Sequence, residues 1–271
     1  MKVCLIQMNS RDSLVENLQQ AENAVRSAVA DTHARLVVLP ELFTYLGGTK
    51  EGKREAGQVF PESGAYRLLQ SLAKEYGVYL HGGSMIERDG DRLYNTTVVF
   101  DPKGSEIAKY RKIHLFDVVA PDGAVFRESD VFGRGENIVT YKVDDHIVGC
   151  SICYDLRFPE LYAELSKAGA DIIIAPAAFT LMTGKDHWEI LCRSRAMETQ
   201  TYVLATNQVG TYSENGEPRA SYGHSMVVDP WGTVLARAQA RTGHIVASLD
   251  FDYLNKVRAD IPVQRHHVLG Q

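Results

Sequence analysis

The chain has 271 residues, of which 45% are hydrophobic and 23% are charged, a balance typical of a globular protein with a substantial core. Its formal net charge is −5, so it has no basic excess to attract nucleic acid or an anionic membrane surface. No stretch reaches transmembrane length, and four cysteines in a chain of this length do not suggest a disulfide framework. We therefore expect a cytoplasmic protein with reduced thiols and no nucleic-acid or membrane partner.

The first half of the chain alternates between strand and helix patterns. Residues 13–30 carry apolar side chains at helical spacing, with Asp12 as the expected N-cap, and a second helix is expected to end at Gly77. The run RLVVL at 35–39 is short and rich in β-branched residues, which favours a strand, and Pro40 ends it. This second helix is predicted at 63–76. Strands are predicted at 2–8, 78–86, 94–100 and 106–113.

The second half repeats this alternation after a long aperiodic segment. Residues 115–140 hold several glycines and prolines and are predicted to form a loop, as are residues 208–222. Helices are predicted at 158–170, 186–200 and 251–258, and strands at 171–176, 201–207, 224–229, 233–238 and 244–251. The order of elements, without a composition break or a repeat, indicates one domain over 1–271. A layered α/β sandwich with a mixed sheet fits this order.

Cys153 lies within GCSICYDLRFPELY (149–162), between an apolar strand pattern and a helix pattern. A free cysteine usually only packs in the core, and that interpretation applies here as well. However, a cysteine at a strand end, followed by a helix whose free N–H groups favour a thiolate, is typical of a nucleophile. Cys150 completes a CxxC pattern, but no second pair or histidine motif accompanies it. A metal or disulfide-exchange site is therefore disfavoured.

A catalytic thiol needs a base, because a free cysteine pKa of about 8.5 leaves little thiolate at neutral pH. Glu41 directly follows the predicted strand at 35–39, with a solvated loop glutamate as the alternative interpretation. Lys112 lies at the end of the strand predicted at 106–113, where a surface lysine is the alternative. None of the nine histidines occupies a comparable strand end.

Three segments resemble the signature motifs of the nitrilase superfamily, the carbon–nitrogen hydrolases. They are LVVLPELF (36–43), KYRKIHLF (109–116) and GCSICYDLRFPELY (149–162), in the family's order and at similar separations. The resemblance covers essentially the whole chain. It implies a four-layer α-β-β-α sandwich with mixed sheets, a homodimer or larger homo-oligomer, and chemistry that requires no metal or organic cofactor.

The same resemblance implies a catalytic set of Glu41, Lys112 and Cys153, with a further family glutamate at Glu128. In that chemistry Glu41 takes the thiol proton and Cys153 attacks a carbonyl or nitrile carbon. Lys112 and the backbone N–H of Tyr154 hold the oxyanion. Glu41 then protonates the leaving nitrogen and activates water against the thioester. Glu128 would either orient Lys112 or share the role of base.

Two later segments resemble the Nit branch of amidases within this superfamily. They are 183–210 and 220–237, and within the branch they are most similar to the deaminated glutathione amidases. The implied substrate is a small amide with carboxylates, cleaved to 2-oxoglutarate and cysteinylglycine. Omega-amidases acting on 2-oxoglutaramate share much of the pattern. An N-carbamoyl hydrolase, a nitrilase and a non-catalytic scaffold protein are the remaining alternatives.

Arg157 is the leading candidate for holding a carboxylate of this substrate. It follows Cys153 by four positions, and a guanidinium can bind a carboxylate through two hydrogen bonds. The alternative is a salt bridge with Asp155 or Glu160 that fixes the turn around Cys153. The sequence favours neither interpretation.

Three further side chains are predicted beside the same pocket. Phe179 and Thr183 lie in the loop before the next predicted helix, with ordinary loop packing as the alternative for both. Tyr154, the neighbour of the cysteine, is a weaker candidate. His187 is expected to pack against or cap the helix at 186–200 instead.

Overall fold

The computed structural model describes residues 1–120 and 123–268. The α-helices are α1 (Leu14–Thr32), α2 (Lys50–Glu55), α3 (Gly64–Tyr76), α4 (Pro159–Lys167), α5 (Leu181–Thr199) and α6 (Phe251–Asp260). The strands are β1 (Lys2–Gln7), β2 (Leu36–Val38), β3 (Tyr79–His81), β4 (Met85–Asp89), β5 (Arg92–Phe100), β6 (Glu106–Arg111), β7 (Asp117–Val119), β8 (Val125–Arg127), β9 (Phe132–Gly133), β10 (Thr140–Val143), β11 (His146–Cys150), β12 (Ile172–Ile174), β13 (Tyr202–Ala205), β14 (Val209–Glu214), β15 (Glu217–Tyr222), β16 (Met226–Val228), β17 (Val234–Arg237) and β18 (Gly243–Ser248). Short 3₁₀ turns lie at Glu128–Asp130, Cys153–Arg157 and Val263–His266. Of the helices described, none is long and apolar enough to cross a membrane.

Two mixed sheets form the centre of the molecule. The first has eight strands in the order β18-β1-β2-β3-β5-β4, with β6 and β9 also paired to β5, and β1, β2 and β3 are parallel. The second has six strands in the order β10-β11-β12-β13-β16-β17, with β11, β12 and β13 parallel. The pairs β7–β8 and β14–β15 form separate hairpins. Because α/β folds place chemistry beyond the carboxyl ends of parallel strands, the segments after β2 and β11 are the ones to inspect.

Alternating side chains of the first sheet separate two parts of the core. Val3 and Leu5 of β1 pack in the cluster that contains the side chains of the second sheet. Cys4 and Ile6 point the other way, into a cluster with α1 and α3. Helices α4 and α5 pack on the second sheet. This α-β-β-α order, produced by the period of two along buried strands, confirms the predicted fold class.

The N-terminal ends of α1 and α5 test the predicted helix boundaries. Helix α1 is capped by Ser13, whose Oγ accepts a hydrogen bond from the backbone N–H three residues later, so the prediction of Asp12 as N-cap is wrong. The helix predicted at 186–200 begins earlier, at Leu181. Thr180 caps it in the same way, and this Thr-x-x-Thr start is a signal that helical periodicity alone overlooks.

The strand predicted at 78–86 is interrupted, because Gly82–Ser84 leave the sheet between β3 and β4. Gly83, the middle residue of this break, has a φ of +57°, a conformation that favours glycine. A Cβ at that position would lie 2.0 Å from the carbonyl oxygen of Pro40. The missing side chain thus allows the main chain before Glu41 to pass close to the sheet.

Both segments predicted as loops contain hairpins. Residues 208–222 form β14 and β15, joined by Asn215 and Gly216, which both have positive φ. Asn-Gly is a typical two-residue hairpin connection, so the sequence carried this signal and the loop prediction was wrong. The segment 115–140 contains the hairpin of β7 and β8, followed by the 3₁₀ turn that carries Glu128.

Candidate active site

Cys153 lies beyond the end of β11, at the first position of the turn Cys153–Arg157, rather than on the strand itself. Its φ of +49° is uncommon for a residue with a side chain. The backbone N–H of Cys153 donates to the carbonyl of Pro176 at 2.9 Å, which ties the turn to the segment after β12. Only 8% of Cys153 is exposed, so the turn holds the thiol in a fixed and nearly buried position.

Asp155 fixes this turn from the interior of the protein. Its Oδ2 accepts hydrogen bonds from Tyr110 Oη at 2.7 Å and from the backbone N–H of Ile152 at 2.8 Å. Its Oδ1 accepts from the backbone N–H of His114 at 3.1 Å and lies 2.7 Å from Nδ1 of that ring. These contacts compensate for the complete burial of the carboxylate. Among the residues described, Arg157 forms a salt bridge with neither Asp155 nor Glu160, so that alternative is wrong.

Glu41 follows β2 in a turn whose main chain is held on both sides. The backbone N–H of Leu42, which has a φ of +50°, donates to Ser84 Oγ at 2.9 Å. The N–H of Phe43 donates to the carbonyl of Ser84 at 2.9 Å, and Gln208 Nε2 donates to the carbonyl of Glu41 at 2.9 Å. The glutamate is 3% exposed, so its side chain points into the protein instead of into solvent.

Lys112 immediately follows β6 and joins two carboxylates. Its Nζ lies 2.9 Å from Glu41 Oε1 and 2.9 Å from Glu128 Oε2, and it is 2% exposed. Asn95 of β5 donates through Nδ2 to Glu41 Oε1 at 2.9 Å and to Glu128 Oε1 at 3.2 Å. We call these four residues the charged cluster. The sequence prediction missed Asn95, although an amide within the apolar run YNTTVVF is an available signal.

Backbone donors complete the hydrogen bonds of the charged cluster. The N–H of Ala178 donates to Glu41 Oε2 at 2.8 Å, and the N–H of Phe116 donates to Glu128 Oε2 at 2.6 Å. Each carboxylate oxygen of the cluster therefore accepts at least one hydrogen bond. Buried charges are tolerated only when they are paired and bonded in this manner.

Electrostatics set the protonation of the two groups at the centre. Burial raises the pKa of the Cys153 thiol well above its usual value, and the charge and hydrogen bond of Glu41 raise it further. The Lys112 ammonium and the N–H of Ala178 act against this shift without reversing it. Burial acts to lower the pKa of Lys112, but the charges of Glu128 and Glu41 outweigh it and raise that pKa well above its usual value. The resting site thus holds a neutral thiol beside a charged ammonium.

A cavity of about 380 Å³ opens above the thiol. Glu41, Lys112 and Cys153 lie at its base, while the hairpins β7–β8 and β14–β15 and the start of α5 contribute its walls. All of the residues predicted to bind substrate line this cavity: Tyr154, Arg157, Phe179 and Thr183. The structure therefore brings together residues that are far apart in the sequence.

Arg157 faces aromatic rings and a histidine rather than an acid. Its Cζ lies 5.9 Å from the ring centroid of Tyr154 and 5.5 Å from that of Phe179, and its Nη2 lies 3.2 Å from Nδ1 of His187. Within the described part of the chain it has no aspartate or glutamate in ion-pair distance. The prediction that His187 packs against or caps its helix is only partly right, because it lies inside α5 and contacts Arg157 while Thr180 provides the cap.

Thr183 combines a structural contact with its position at the cavity. Its hydroxyl lies 2.8 Å from the hydroxyl of Thr180, and its backbone N–H donates to Thr180 Oγ1 at 3.4 Å, so it completes the cap of α5.

Across residues 1–120 and 123–268, no three histidine, cysteine, aspartate or glutamate side chains are grouped so that they could hold a metal ion.

A family model described as carbon-nitrogen hydrolase matches residues 2–259. The chain belongs to the carbon–nitrogen hydrolase family. Its relatives are named as amidases, so we describe it from here as a hydrolase of carbon–nitrogen bonds other than peptide bonds. The residues of the charged cluster and Cys153 all fall within the matched range.

Relatives of two substrate classes match this hydrolase to the same extent. It is 40% identical over 268 residues to the deaminated glutathione amidase of Synechocystis sp., covering 97% of the chain and 96% of the relative. It is 41% identical over 253 residues to the omega-amidase NIT2 of Xenopus tropicalis, covering 92% and 88%. The crystal structure of Saccharomyces cerevisiae Nit3, a member of the nitrilase superfamily, superposes with a TM-score of 0.88 at 33% identity, covering 98% of this chain and 97% of that one.

Proposed function

We propose that this hydrolase cleaves the amide of deaminated glutathione to 2-oxoglutarate and cysteinylglycine through a thioester on Cys153. The observation that carries the proposal is the convergence of Glu41 and Lys112 on Cys153 at the base of the cavity. These three residues come from turns after three different strands. Such a convergence has no purpose in packing, since burying the charges costs free energy that apolar side chains would not.

The first step transfers a proton from the thiol to Glu41. The raised pKa of Cys153 keeps sulfur protonated before the reaction, so a nearby base is needed at the moment of attack. The Glu41 carboxylate is that base, and Lys112 next to it stabilises the thiolate as it forms. Sulfur then forms a bond to the amide carbon, and the carbonyl π electrons move to oxygen.

The second step is stabilised by charge that is already in place. The developing oxyanion is held by the Lys112 ammonium and the backbone N–H of Tyr154, and one such donor contributes roughly 3–4 kcal/mol. Because the pKa of Lys112 is raised, this side chain keeps its charge throughout. Glu128 acts as a positioning residue here, since its carboxylate holds Nζ of Lys112 at 2.9 Å together with Glu41.

Collapse of the tetrahedral intermediate breaks the carbon–nitrogen bond. Glu41 gives its proton to the departing nitrogen, and the acyl group remains on sulfur as a thioester. Glu41 then removes a proton from water, whose oxygen attacks the thioester carbon. Cleavage of the carbon–sulfur bond releases the carboxylic acid and returns the proton to Cys153, so that atoms and charge balance over the cycle.

The acyl half of the substrate carries a 2-oxo carboxylate, and Arg157 is suited to bind it. The guanidinium lines the cavity without an acidic partner among the described residues and can offer two parallel hydrogen bonds. Tyr154 and Phe179 lie against it and Thr183 lies at the same wall. An omega-amidase acting on 2-oxoglutaramate needs the same carboxylate-binding residue. The similarity to NIT2 therefore supports this activity as a second candidate function.

The test is an assay of wild-type protein and Cys153→Ala on four substrates: deaminated glutathione, 2-oxoglutaramate, carbamoyl-β-alanine and a simple nitrile. We expect wild-type protein to release 2-oxoglutarate from deaminated glutathione with the highest kcat/KM. Cys153→Ala should lose at least about a thousandfold in kcat while its thermal midpoint stays close to that of wild type. A higher kcat/KM for 2-oxoglutaramate, carbamoyl-β-alanine or the nitrile, or full activity of the variant, would contradict the proposal.

Mass spectrometry of the quenched reaction provides a second readout. A covalent adduct with the mass of the 2-oxoglutaryl group should map to Cys153. The predicted homodimer is a separate matter and stays a prediction, for which the molar mass in solution is the direct measurement.

A further inference from the structure

Arg219 is a second arginine of the cavity wall, on the hairpin that the sequence prediction treated as a loop. It lies on β15 directly opposite Tyr212 of β14. Its Cζ lies 5.7 Å from the ring centroid of Phe126, which comes from the hairpin β7–β8. The guanidinium is therefore held between the two hairpins at a site distinct from that of Arg157.

The charge of Arg219 is not balanced by the protein. Within residues 1–120 and 123–268, its buried Nε has no hydrogen-bond partner and no carboxylate lies within ion-pair distance of its guanidinium. The lysines of the same cavity behave differently, since Lys50 and Lys53 each form a salt bridge at 2.6 Å, with Asp130 and Glu214. Because the guanidinium lines the cavity and no described carboxylate neutralises it, its charge is available to a carboxylate of the substrate.

Tyr212 links the position of Arg219 to that of the Cys153 thiol. Tyr212 lines the same cavity, and although burial is the main reason that its pKa is raised, the charges of Glu41 and Cys153 are close enough to contribute. Arg219 faces Tyr212 across the strand pair and lines the same cavity. A substrate that reacts at Cys153 and extends past Tyr212 therefore meets Arg219.

A second cavity of about 160 Å³ begins at this point. It shares Phe126, Thr180, Tyr212 and Arg219 with the first cavity, and its remaining lining is mostly apolar, including Leu181 and Met182. Arg219 thus lies at the junction of the reaction cavity and a smaller apolar chamber. This arrangement fits a substrate whose leaving amine has a tail with both an apolar part and a negative charge.

We infer that Arg219 binds a carboxylate on the leaving-amine side of the substrate and so selects amides with an acidic amine over primary amides. The inference rests on the proposed function. Deaminated glutathione has a carboxylate on each side of the scissile bond, which matches Arg157 and Arg219, the two half-buried arginines of the cavity without an acidic partner among the described residues. Arg127, the third arginine of the lining, is exposed on β8. 2-Oxoglutaramate has a carboxylate only on the acyl side and releases ammonia, so Arg219 has nothing to bind in it.

The experiment compares kcat/KM for three substrates that all yield 2-oxoglutarate: deaminated glutathione, its analogue with the glycine carboxylate amidated, and 2-oxoglutaramate. Arg219→Gln should lower kcat/KM for deaminated glutathione by about 10–100-fold and change the other two by less than about twofold. Arg219→Lys should retain part of the preference, because it keeps the charge but not the paired donors. Lys50→Gln is the matched control, a cation of the same cavity that already has a partner, and should leave all ratios unchanged.

Each outcome separates this inference from the proposed function. If Arg219→Gln lowers kcat/KM for all three substrates equally, or changes none of them, Arg219 does not read the leaving group and the inference is wrong, while the amidase proposal stands. If wild-type protein prefers 2-oxoglutaramate, the inference is likewise wrong and the second amidase function is correct. If wild-type protein releases no 2-oxoglutarate from any of the three, the proposed function fails and the inference fails with it. Thermal midpoints of the variants guard against a loss caused by misfolding.

Discussion

The base and the wall of the cavity treat charge in opposite ways. At the base, Lys112 is enclosed by two carboxylates, and Asn95 and backbone N–H groups satisfy their remaining oxygens. On the wall, Arg157 and Arg219 have no acidic partner among the described residues. Under the proposed function, the balanced cluster would keep the reacting groups in place before substrate arrives, and the cations without an acidic partner would leave binding energy for the carboxylates of the substrate. Chemistry and specificity are thus assigned to regions with different electrostatic design.

The largest expected effect comes from removing the cation at the base. Lys112→Met should lower kcat by at least about a thousandfold, because the oxyanion loses its ammonium. It should also destabilise the fold by about 3–5 kcal/mol, since two buried carboxylates lose their partner. Steady-state kinetics and urea unfolding measure the two losses separately.

A double variant distinguishes the two roles of Lys112. In Lys112→Met/Glu128→Gln one buried charge is removed with its partner, so a part of the lost stability should return while activity does not. If activity returned together with stability, Lys112 would serve only to stabilise the fold. The assignment of the chemistry to the base of the cavity would then be wrong.

A smaller effect is expected at Asn95, which orders the charged cluster without carrying charge. Asn95→Asp places a third carboxylate against Glu41 and Glu128, so we expect kcat to fall by about 10–100-fold with a smaller change in KM. Thr96→Val is the matched control on the same strand, because that buried hydroxyl bonds to Glu87 outside the cluster. It should lower stability and leave kcat unchanged. Equal kinetic losses in both variants would contradict a specific role for Asn95.

On the wall, Arg157→Gln should act on binding more than on chemistry. We expect KM to rise by about 10–100-fold for deaminated glutathione and for 2-oxoglutaramate alike, since both carry the acyl-side carboxylate. Arg157→Lys should recover a part of the loss. If KM rose for only one of the two substrates, Arg157 would read the leaving group, and the assignment of the two arginines to the two halves of the substrate would have to be reversed.

The sequence predicts the base of the cavity far better than the wall, for a physical reason. Glu41, Lys112 and Cys153 each follow a strand, so each brings its own local signal, and three short motifs in order identify the family. The role of Asn95 depends on β5 lying beside β6, where Thr96 pairs with Arg111, and no local pattern reveals such a register. Arg219 is of interest because no described carboxylate pairs with it, which is a property of the folded surroundings rather than of the segment that contains it.

His81 offers the smallest and most different test, because it is a polar group in the core that lines neither of the two cavities described above. It is fully buried on β3, its Nδ1 accepts from the backbone N–H of Gly83 at 3.2 Å, and its Nε2 has no partner among the described residues. Burial lowers the pKa of His81 to about 3, so below pH 6.5 the unfolded chain takes up a proton that the folded protein does not. The free energy of unfolding should therefore fall as pH falls from 6.5 towards 3.

The slope of this loss should reach about 1.4 kcal/mol per pH unit for His81 alone. His81→Asn keeps an acceptor for Gly83 and removes the titration, so its stability should depend less steeply on pH over this range. Urea unfolding at pH 7.5, 6.0, 5.0 and 4.5 measures both curves, and parallel curves would contradict the prediction. His81 adds a third case to the comparison of base and wall. A polar group without a partner beside the cavity can be satisfied by substrate, whereas the burial of His81 in the core only makes the stability of the fold fall at acid pH.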